Sequence, residues 1–184
     1  MEENHFKPYI PAQKITPEIT VTSIVMGVLL AVVFGAANAY LGLRVGMTVS
    51  ASIPAAVIAM GVIRVLMRKN SILESNIVQT IGSAGESLAA GAIFTLPALF
   101  LWAAEGKTAM PSLLEITSIA LIGGLLGVFF MVPLRNALIV KEHGVLPYPE
   151  GTACAEVLLA GEQGGAKAST VFAGMGFAAL FKFI

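Results

Sequence analysis

Apolar runs of about 20 residues recur along most of this sequence, and they constrain its fold more than any other feature. As a helix, a run of that length crosses a hydrocarbon core of about 30 Å. Of the 184 residues, 57% are hydrophobic and only 12% are charged, whereas soluble domains carry about a quarter charged residues. The sequence therefore predicts an all-α, polytopic integral membrane bundle surrounded by the lipid bilayer, with broken or re-entrant helices.

The apolar runs also give the expected order of segments. Residues 1–18 are expected to be an N-terminal tail, with a helix start at Thr16-Pro17-Glu18, and residues 19–184 a membrane domain. A cleaved signal peptide is the alternative for the first run, but further spans follow it directly. The expected segments are 19–43, 48–66, 71–104, 113–132, a short helix over 152–160, a flexible linker over 161–169 and an apolar helix over 171–184.

In the first span, small residues recur at every fourth position and predict a seam for close helix packing: Gly27, Ala31, Gly35 and Ala39.

The segment from Ser71 to Ala104 is polar along one edge and apolar elsewhere. At the helical period its polar side chains share about a third of the circumference; they are Asn76, Gln79, Thr80, Ser83, Glu86 and Ser87. A continuous helix would measure about 50 Å, which exceeds the hydrocarbon thickness. We therefore expect an interruption near Gly82 to Gly85 or at Pro97, so that the polar edge lines a cavity.

Glu86 is the candidate coupling residue, because acidic side chains inside membrane spans are costly and mark proton or substrate paths. The alternative is that Glu86 is only a carboxylate at a hydrated helix end, without a role in transport. Asn76, Gln79 and Ser83 can bind substrate through amides and a hydroxyl, or can simply hold helices together. Glu74 points away from the polar edge and is expected to be a loop charge.

A second candidate site is the helix that follows the rigid turn LPYPEG. Glu150, Thr152 and Glu156 lie at its start, where free N–H groups and the positive end of the helix dipole attract anions. Helix starts of this kind are typical binding sites in carriers, although a re-entrant helix can also only fill space. We place the substrate site between this helix and the polar edge.

The charged residues give the topology and exclude other functions. A cytoplasmic N-terminus puts most basic residues inside, namely Lys7, Lys14, Arg64, Arg68, Lys69, Arg135 and Lys141, against Arg44 and Lys107 outside. The formal net charge is zero, which gives no support to nucleic-acid binding. With two histidines, one cysteine and no aspartate, no metal site, cofactor or enzymatic activity is expected.

Three long blocks resemble the oligopeptide transporter (OPT) family, in particular its prokaryotic branch, which is related to the yellow-stripe-like carriers of metal chelates. They are NAYLGLRVGMTVSASIP (38–54), SNIVQTIGSAGESLAAGAIFTLPAL (75–99) and KEHGVLPYPEGTACAEVL (141–158). The resemblance implies a multi-pass carrier of the inner (plasma) membrane, proton-coupled, for oligopeptides or metal chelates. It also implies that the chain is the N-terminal part of a longer carrier, completed by a C-terminal part. The alternative is an accessory membrane subunit or a channel component.

Overall fold

The computed structural model describes residues 8–11, 13–68, 71–164 and 166–182, and within them the secondary structure is helical. Residues 1–7 of the tail and 183–184 of the last segment lie outside these ranges. So do two of the basic residues on which the predicted topology rests, Lys7 and Lys69. The helices are α1 (Val21–Val45), α2 (Ser52–Gly61), α3 (Ile72–Ala104), α4 (Leu113–Arg135), α5 (Pro149–Gln163) and α6 (Ala166–Lys182). Short π-helical turns extend α2 over Val62–Leu66 and α4 over Asn136–Lys141.

In the described part of the chain, three helices are long and apolar enough to cross a membrane: Val21–Val45, Ile72–Ala104 and Leu113–Lys141. The expected all-α, multi-pass class is therefore confirmed. The second expected span is shorter than predicted, because helix α2 begins only at Ser52. The residues before it form a non-helical connection from Gly46 to Ala51.

The expected interruption of the polar-edged segment is wrong, because α3 runs without a break from Ile72 to Ala104 and contains Pro97. Gly82 and Gly85 serve close packing instead. A Cβ atom on Gly85 would lie 2.4 Å from the carbonyl oxygen of Ala31 on α1. A Cβ atom on Gly27 of α1 would lie 2.7 Å from the Cβ of Ile81 on α3. The small-residue seam of α1 is thus confirmed, and α3 supplies its other side.

Helix α1 begins later than Thr16. Thr20 is its N-cap: the Thr20 hydroxyl accepts from the Ser23 N–H at 3.1 Å, and the Ser23 hydroxyl accepts from the Thr20 N–H at 2.9 Å. This reciprocal pair satisfies two amide groups that the first turn leaves without helical partners. The predicted helix start at Thr16 was wrong. It relied on Pro17, which lies about one turn before the residues that make the capping bonds.

The short helix after the proline turn is confirmed, but it is longer than expected. Helix α5 runs from Pro149 to Gln163 and ends with Gly164 at a φ of 69°. Helix α6 then begins at Ala166, so that the linker expected over 161–169 is almost entirely helical. Gly164 can adopt the left-handed conformation that ends a helix in one residue, and a long flexible linker is not needed.

The chain divides into two compact units. One comprises Thr16–Ala90 and Pro149–Ile184, and the other Met1–Ile15 and Gly91–Tyr148. The core of the first contains Leu30, Ala59, Ile63 and Val78, from α1, α2 with its π-turn, and α3. In the second, α4 is capped by Ser112 with Glu115 and has no buried residue. The candidate site lies entirely in the first unit.

Candidate functional site

The polar edge of α3 divides into an outer and an inner row. The outer hydroxyls bond to their own helix, Thr80 to the Asn76 carbonyl at 2.8 Å and Ser87 to the Ser83 carbonyl at 3.1 Å. Asn76, Thr80 and Ser87 are exposed. The inner row is Gln79, Ser83 and Glu86, which are half-buried or buried and contact other helices. The inner row therefore contributes to the candidate site.

Glu86, a residue of α3, lies against the start of α2. Its side chain is only 8% exposed, and its Oε2 accepts from the Ala51 N–H at 3.0 Å. Ala51 is the N-cap of α2, and its own side chain offers no capping oxygen. The carboxylate of α3 thus takes the position of a capping group at the positive end of the α2 dipole. The sequence placed Glu86 on the polar edge but gave no indication of this partner.

Serine hydroxyls connect α3 to the start of α5. Ser83 and Ser52 are hydrogen-bonded through their Oγ atoms at 2.8 Å, and either can be the donor. The Ser50 Oγ is 3.3 Å from the Ser52 Oγ and also donates to the Glu150 carboxylate. Two predicted residues, Ser83 and Glu150, are therefore brought together by two serines that the prediction missed.

The Glu150 carboxylate is held by these hydroxyls. The Ser50 hydroxyl, and after it the Ser52 hydroxyl, lowers the pKa of Glu150 below its usual value, because both donate to the charged form. One turn along α5, burial raises the pKa of the Cys154 thiol, and the Glu150 charge raises it further. The Cys154 sulfur also accepts a weak contact from the Gln79 amide nitrogen at 3.8 Å.

The connection that carries Ser50 is fixed by Asn38 of α1. The Asn38 amide nitrogen donates to the Val49 carbonyl at 2.9 Å, and its oxygen accepts from the Val49 N–H at 3.0 Å. Asn38 is only 3% exposed. By binding the backbone N–H and C=O of Val49, it orients the next two residues, Ser50 and Ala51, which contact Glu150 and Glu86. The serines of the TVSAS segment directly before α2 were the available sequence signal.

The other two residues predicted on α5 lie further along the helix than Glu150. Thr152 and Glu156 are exposed on α5. Glu156 lines an open groove between α5 and α6, together with Val157 and Thr170. At the start of α5, Glu150 contacts the Ser50 hydroxyl.

The expectation for Glu74 is wrong, because it is buried rather than a loop charge. It is 1% exposed, and its Oε1 accepts from the Thr20 hydroxyl at 2.6 Å. Glu74 lies in the first turn of α3 and Thr20 caps α1, so this bond joins the starts of two long helices. The nearby basic residues suggested a surface position, but the capping hydroxyl of α1 draws the carboxylate inward.

Comparison with known proteins places these observations in a family. Residues 18–184 match the family model described as OPT oligopeptide transporter protein. A protein of Haemophilus influenzae described as "Putative oligopeptide transporter" is 46% identical over 122 residues, which is 66% of this chain and 18% of that protein. The match thus spans less than a fifth of that relative's length. No solved structure matches the chain.

Proposed function

The chain belongs to the OPT oligopeptide transporter family, and on that premise we propose that it forms part of a proton-coupled secondary carrier of oligopeptides. The observation that carries the proposal is the burial of Glu86 at the start of α2, where it binds the Ala51 N–H. The serines on either side of Ala51 contact Ser83 and Glu150, the latter at the start of α5. Helix starts that meet around buried polar groups are typical of carrier binding sites. We place the remaining part of the carrier C-terminal to this chain. The relative supports a longer protein, since the match covers 18% of it.

Glu86 has the proposed role of coupling residue, because it is a buried carboxylate among membrane helices and lies beside the groups that would bind substrate. The proposed substrate contacts are Asn76, Gln79, Ser83, Glu150, Thr152 and Glu156. Gln79, Ser83 and Glu150 form the inner part of this set, next to the serines. Asn76, Thr152 and Glu156 are exposed and would contact the parts of a substrate that lie further out.

The charges at the site favour a peptide over a metal chelate as substrate. Glu150 presents an exposed carboxylate, which attracts the terminal ammonium group of a peptide. Chelates that carry several carboxylates would be repelled by the same group. An accessory subunit or a channel component is the weaker candidate, because neither function requires a buried acid at the start of a helix.

Uptake by the complete carrier in reconstituted vesicles tests the proposal. Glu86→Gln is expected to abolish uphill uptake driven by a pH gradient, while exchange of internal for external peptide continues. Glu105→Gln is the matched control, because Glu105 is an exposed acid whose contact is the Lys107 ammonium at 2.6 Å. Wild-type accumulation by Glu86→Gln would contradict the coupling role. Failure of a peptide to compete better than its N-acetylated form would contradict the substrate assignment.

The proposed location is the inner (plasma) membrane with a cytoplasmic N-terminus. The support is the bias of basic residues described above, of which Lys14, Arg64, Arg68, Arg135 and Lys141 are in the described part of the chain. Reporter fusions after residues 20 and 108 would test the orientation. An external reporter at the first position would refute it.

A further inference from the structure

Glu86 and Glu150 have different access to water. Glu150 is exposed at the start of α5, whereas Glu86 is buried beside the start of α2. A residue that loads and releases a proton in each transport cycle needs a path for it. The packing of α1 and α3 at Gly85, immediately before Glu86, leaves no room for a side chain on that face. The Glu86 carboxylate is turned toward the start of α2, where it accepts from the Ala51 N–H, so a path on that side would end at the carboxylate.

Three hydroxyls occupy that side. The Ser50 Oγ contacts the Glu150 carboxylate, the Ser52 Oγ is 3.3 Å from the Ser50 Oγ, and the Ser83 Oγ is 2.8 Å from the Ser52 Oγ. Ser83 and Glu86 are three residues apart on α3 and so lie on the same face of the helix. One bridging water between their side chains would complete the series.

We propose that three serine hydroxyls carry the proton between the Glu150 and Glu86 carboxylates, those of Ser50, Ser52 and Ser83. The inference rests on the proposed coupling role of Glu86. It assigns a function to Ser50 and Ser52, which the substrate site does not require. It also gives Glu150 a second role, as the group at which the proton enters or leaves.

Each hydroxyl can act as both donor and acceptor, as a relay requires. Ser50 has one hydroxyl proton and two acceptors in reach, Glu150 and Ser52, so it can donate to only one at a time. In the bond between Ser52 and Ser83 either oxygen can be the donor. The series therefore has two orientations, and a change from one to the other moves the positions of all its protons.

The transfer is balanced in atoms and charge. The carboxylic proton of Glu150 passes to the Ser50 oxygen as Ser50 gives its own proton to Ser52. Ser52 in turn gives its proton to Ser83, and Ser83 gives its proton through the bridging water to the Glu86 carboxylate. Every hydroxyl gains one O–H bond and loses one. Glu150 ends as a carboxylate and Glu86 as a carboxylic acid.

The surroundings of Glu150 suit an entry point. It is exposed, so it can exchange a proton with water. Its pKa is lowered because the serine hydroxyls stabilise its charged form. Its titratable neighbour on α5 is the Cys154 thiol, whose pKa is raised by burial and by Glu150 itself. That thiol stays neutral and does not compete for the proton at physiological pH.

Asn38 is the positioning residue of this path. It binds the backbone N–H and C=O of Val49 and thereby holds the Ser50 hydroxyl toward Glu150. It touches neither carboxylate. Asn38 therefore affects proton transfer only indirectly. Replacement of Asn38 should have the same effect on transfer as loss of the Ser50 hydroxyl.

The test compares Ser52→Ala with Ser87→Ala in the complete carrier in vesicles. Ser87 is a matched control, because its hydroxyl bonds to its own helix and lies outside the series. Ser52→Ala is expected to slow uptake driven by a pH gradient by about tenfold or more, with peptide exchange unchanged. Ser52→Thr restores a hydroxyl and should recover most of the rate. Ser87→Ala should behave as the wild type.

The possible outcomes separate the path from the proposed function. Wild-type uptake by Ser52→Ala overturns the path, and so does a parallel loss of exchange, which would make Ser52 a substrate or structural residue. Glu86→Gln is measured alongside. If it blocks uptake while Ser52→Ala does not, only the path is wrong. If Glu86→Gln itself accumulates peptide, the coupling role fails, whatever Ser52→Ala does.

Discussion

Replacement of Gly85 by alanine tests the packing that brings α1 and α3 together. The added Cβ would lie 2.4 Å from the Ala31 carbonyl oxygen and 2.6 Å from the Ala31 Cα. Both atoms belong to backbone, so neither can rotate away as the end of a side chain would. One helix must shift for the variant to fold. Gly91→Ala is the matched control, because Gly91 also lies within α3 and a Cβ there meets nothing within 4 Å.

The expected magnitude follows from two opposing effects. Replacement of a glycine inside a helix by alanine stabilises the helix by about 1 kcal/mol, and Gly91→Ala should show this gain. Overpacking of a tight interface costs about 1–3 kcal/mol. Because the Gly85 contact is with backbone, the loss should outweigh the gain. The two variants should therefore differ in the free energy of unfolding by about 1–3 kcal/mol, with Gly85→Ala the less stable.

The assay is unfolding of the protein in mild detergent by increasing fractions of dodecyl sulfate, followed by circular dichroism. The midpoint for Gly85→Ala should move to a lower fraction and that for Gly91→Ala to a higher one. Equal midpoints, or a more stable Gly85→Ala, would show that α1 and α3 do not approach as closely as described.

Three further results are expected. Glu74→Ala should lower the free energy of unfolding by about 1–3 kcal/mol, because it leaves the Thr20 hydroxyl without its carboxylate partner; an unchanged unfolding midpoint in detergent would contradict this. Ser50→Ala should raise the pKa of Glu150 toward its usual value, as measured by carboxyl-carbon NMR. Since that pKa is lowered in the folded protein, the contact stabilises the fold above the unfolded-state pKa and is lost as the pH falls through the folded-state pKa. The Cys154 thiol should react slowly with maleimide at neutral pH and faster only at alkaline pH, because burial raises its pKa; rapid labelling at neutral pH would show that it is accessible.

Features that depend on one segment were predicted well from the sequence. The spans of α1, α3 and α4 follow from the length of their apolar runs, and the seam of α1 follows from the four-residue spacing of its small side chains. A helix after Pro147 was also predicted, but α5 begins at Pro149, three residues earlier than expected. Each is decided by local composition and helical period, which a single sequence contains.

Features that depend on a partner far away in the sequence were missed or wrong. Gly82 and Gly85 were interpreted as helix breakers, because glycine is costly inside an isolated helix. Their close contact with α1 compensates for that cost, and the sequence does not show which helix is the neighbour. Glu74 was assigned to the surface because the sequence does not show its partner either. That partner, Thr20, is 54 residues away.

The small residues of the seam and the polar site are physically linked. Gly85 and Glu86 are adjacent on α3, and Asn38, which fixes the connection before α2, lies on α1. The distance between α1 and α3 therefore also sets the distance between the Glu86 carboxylate and the Ala51 N–H that it binds. A shift of half an ångström or so at the seam would carry the 3.0 Å bond to Ala51 beyond ordinary hydrogen-bond length. The glycines that weaken α3 as an isolated helix are thus required for the contact that places its buried acid at the start of α2.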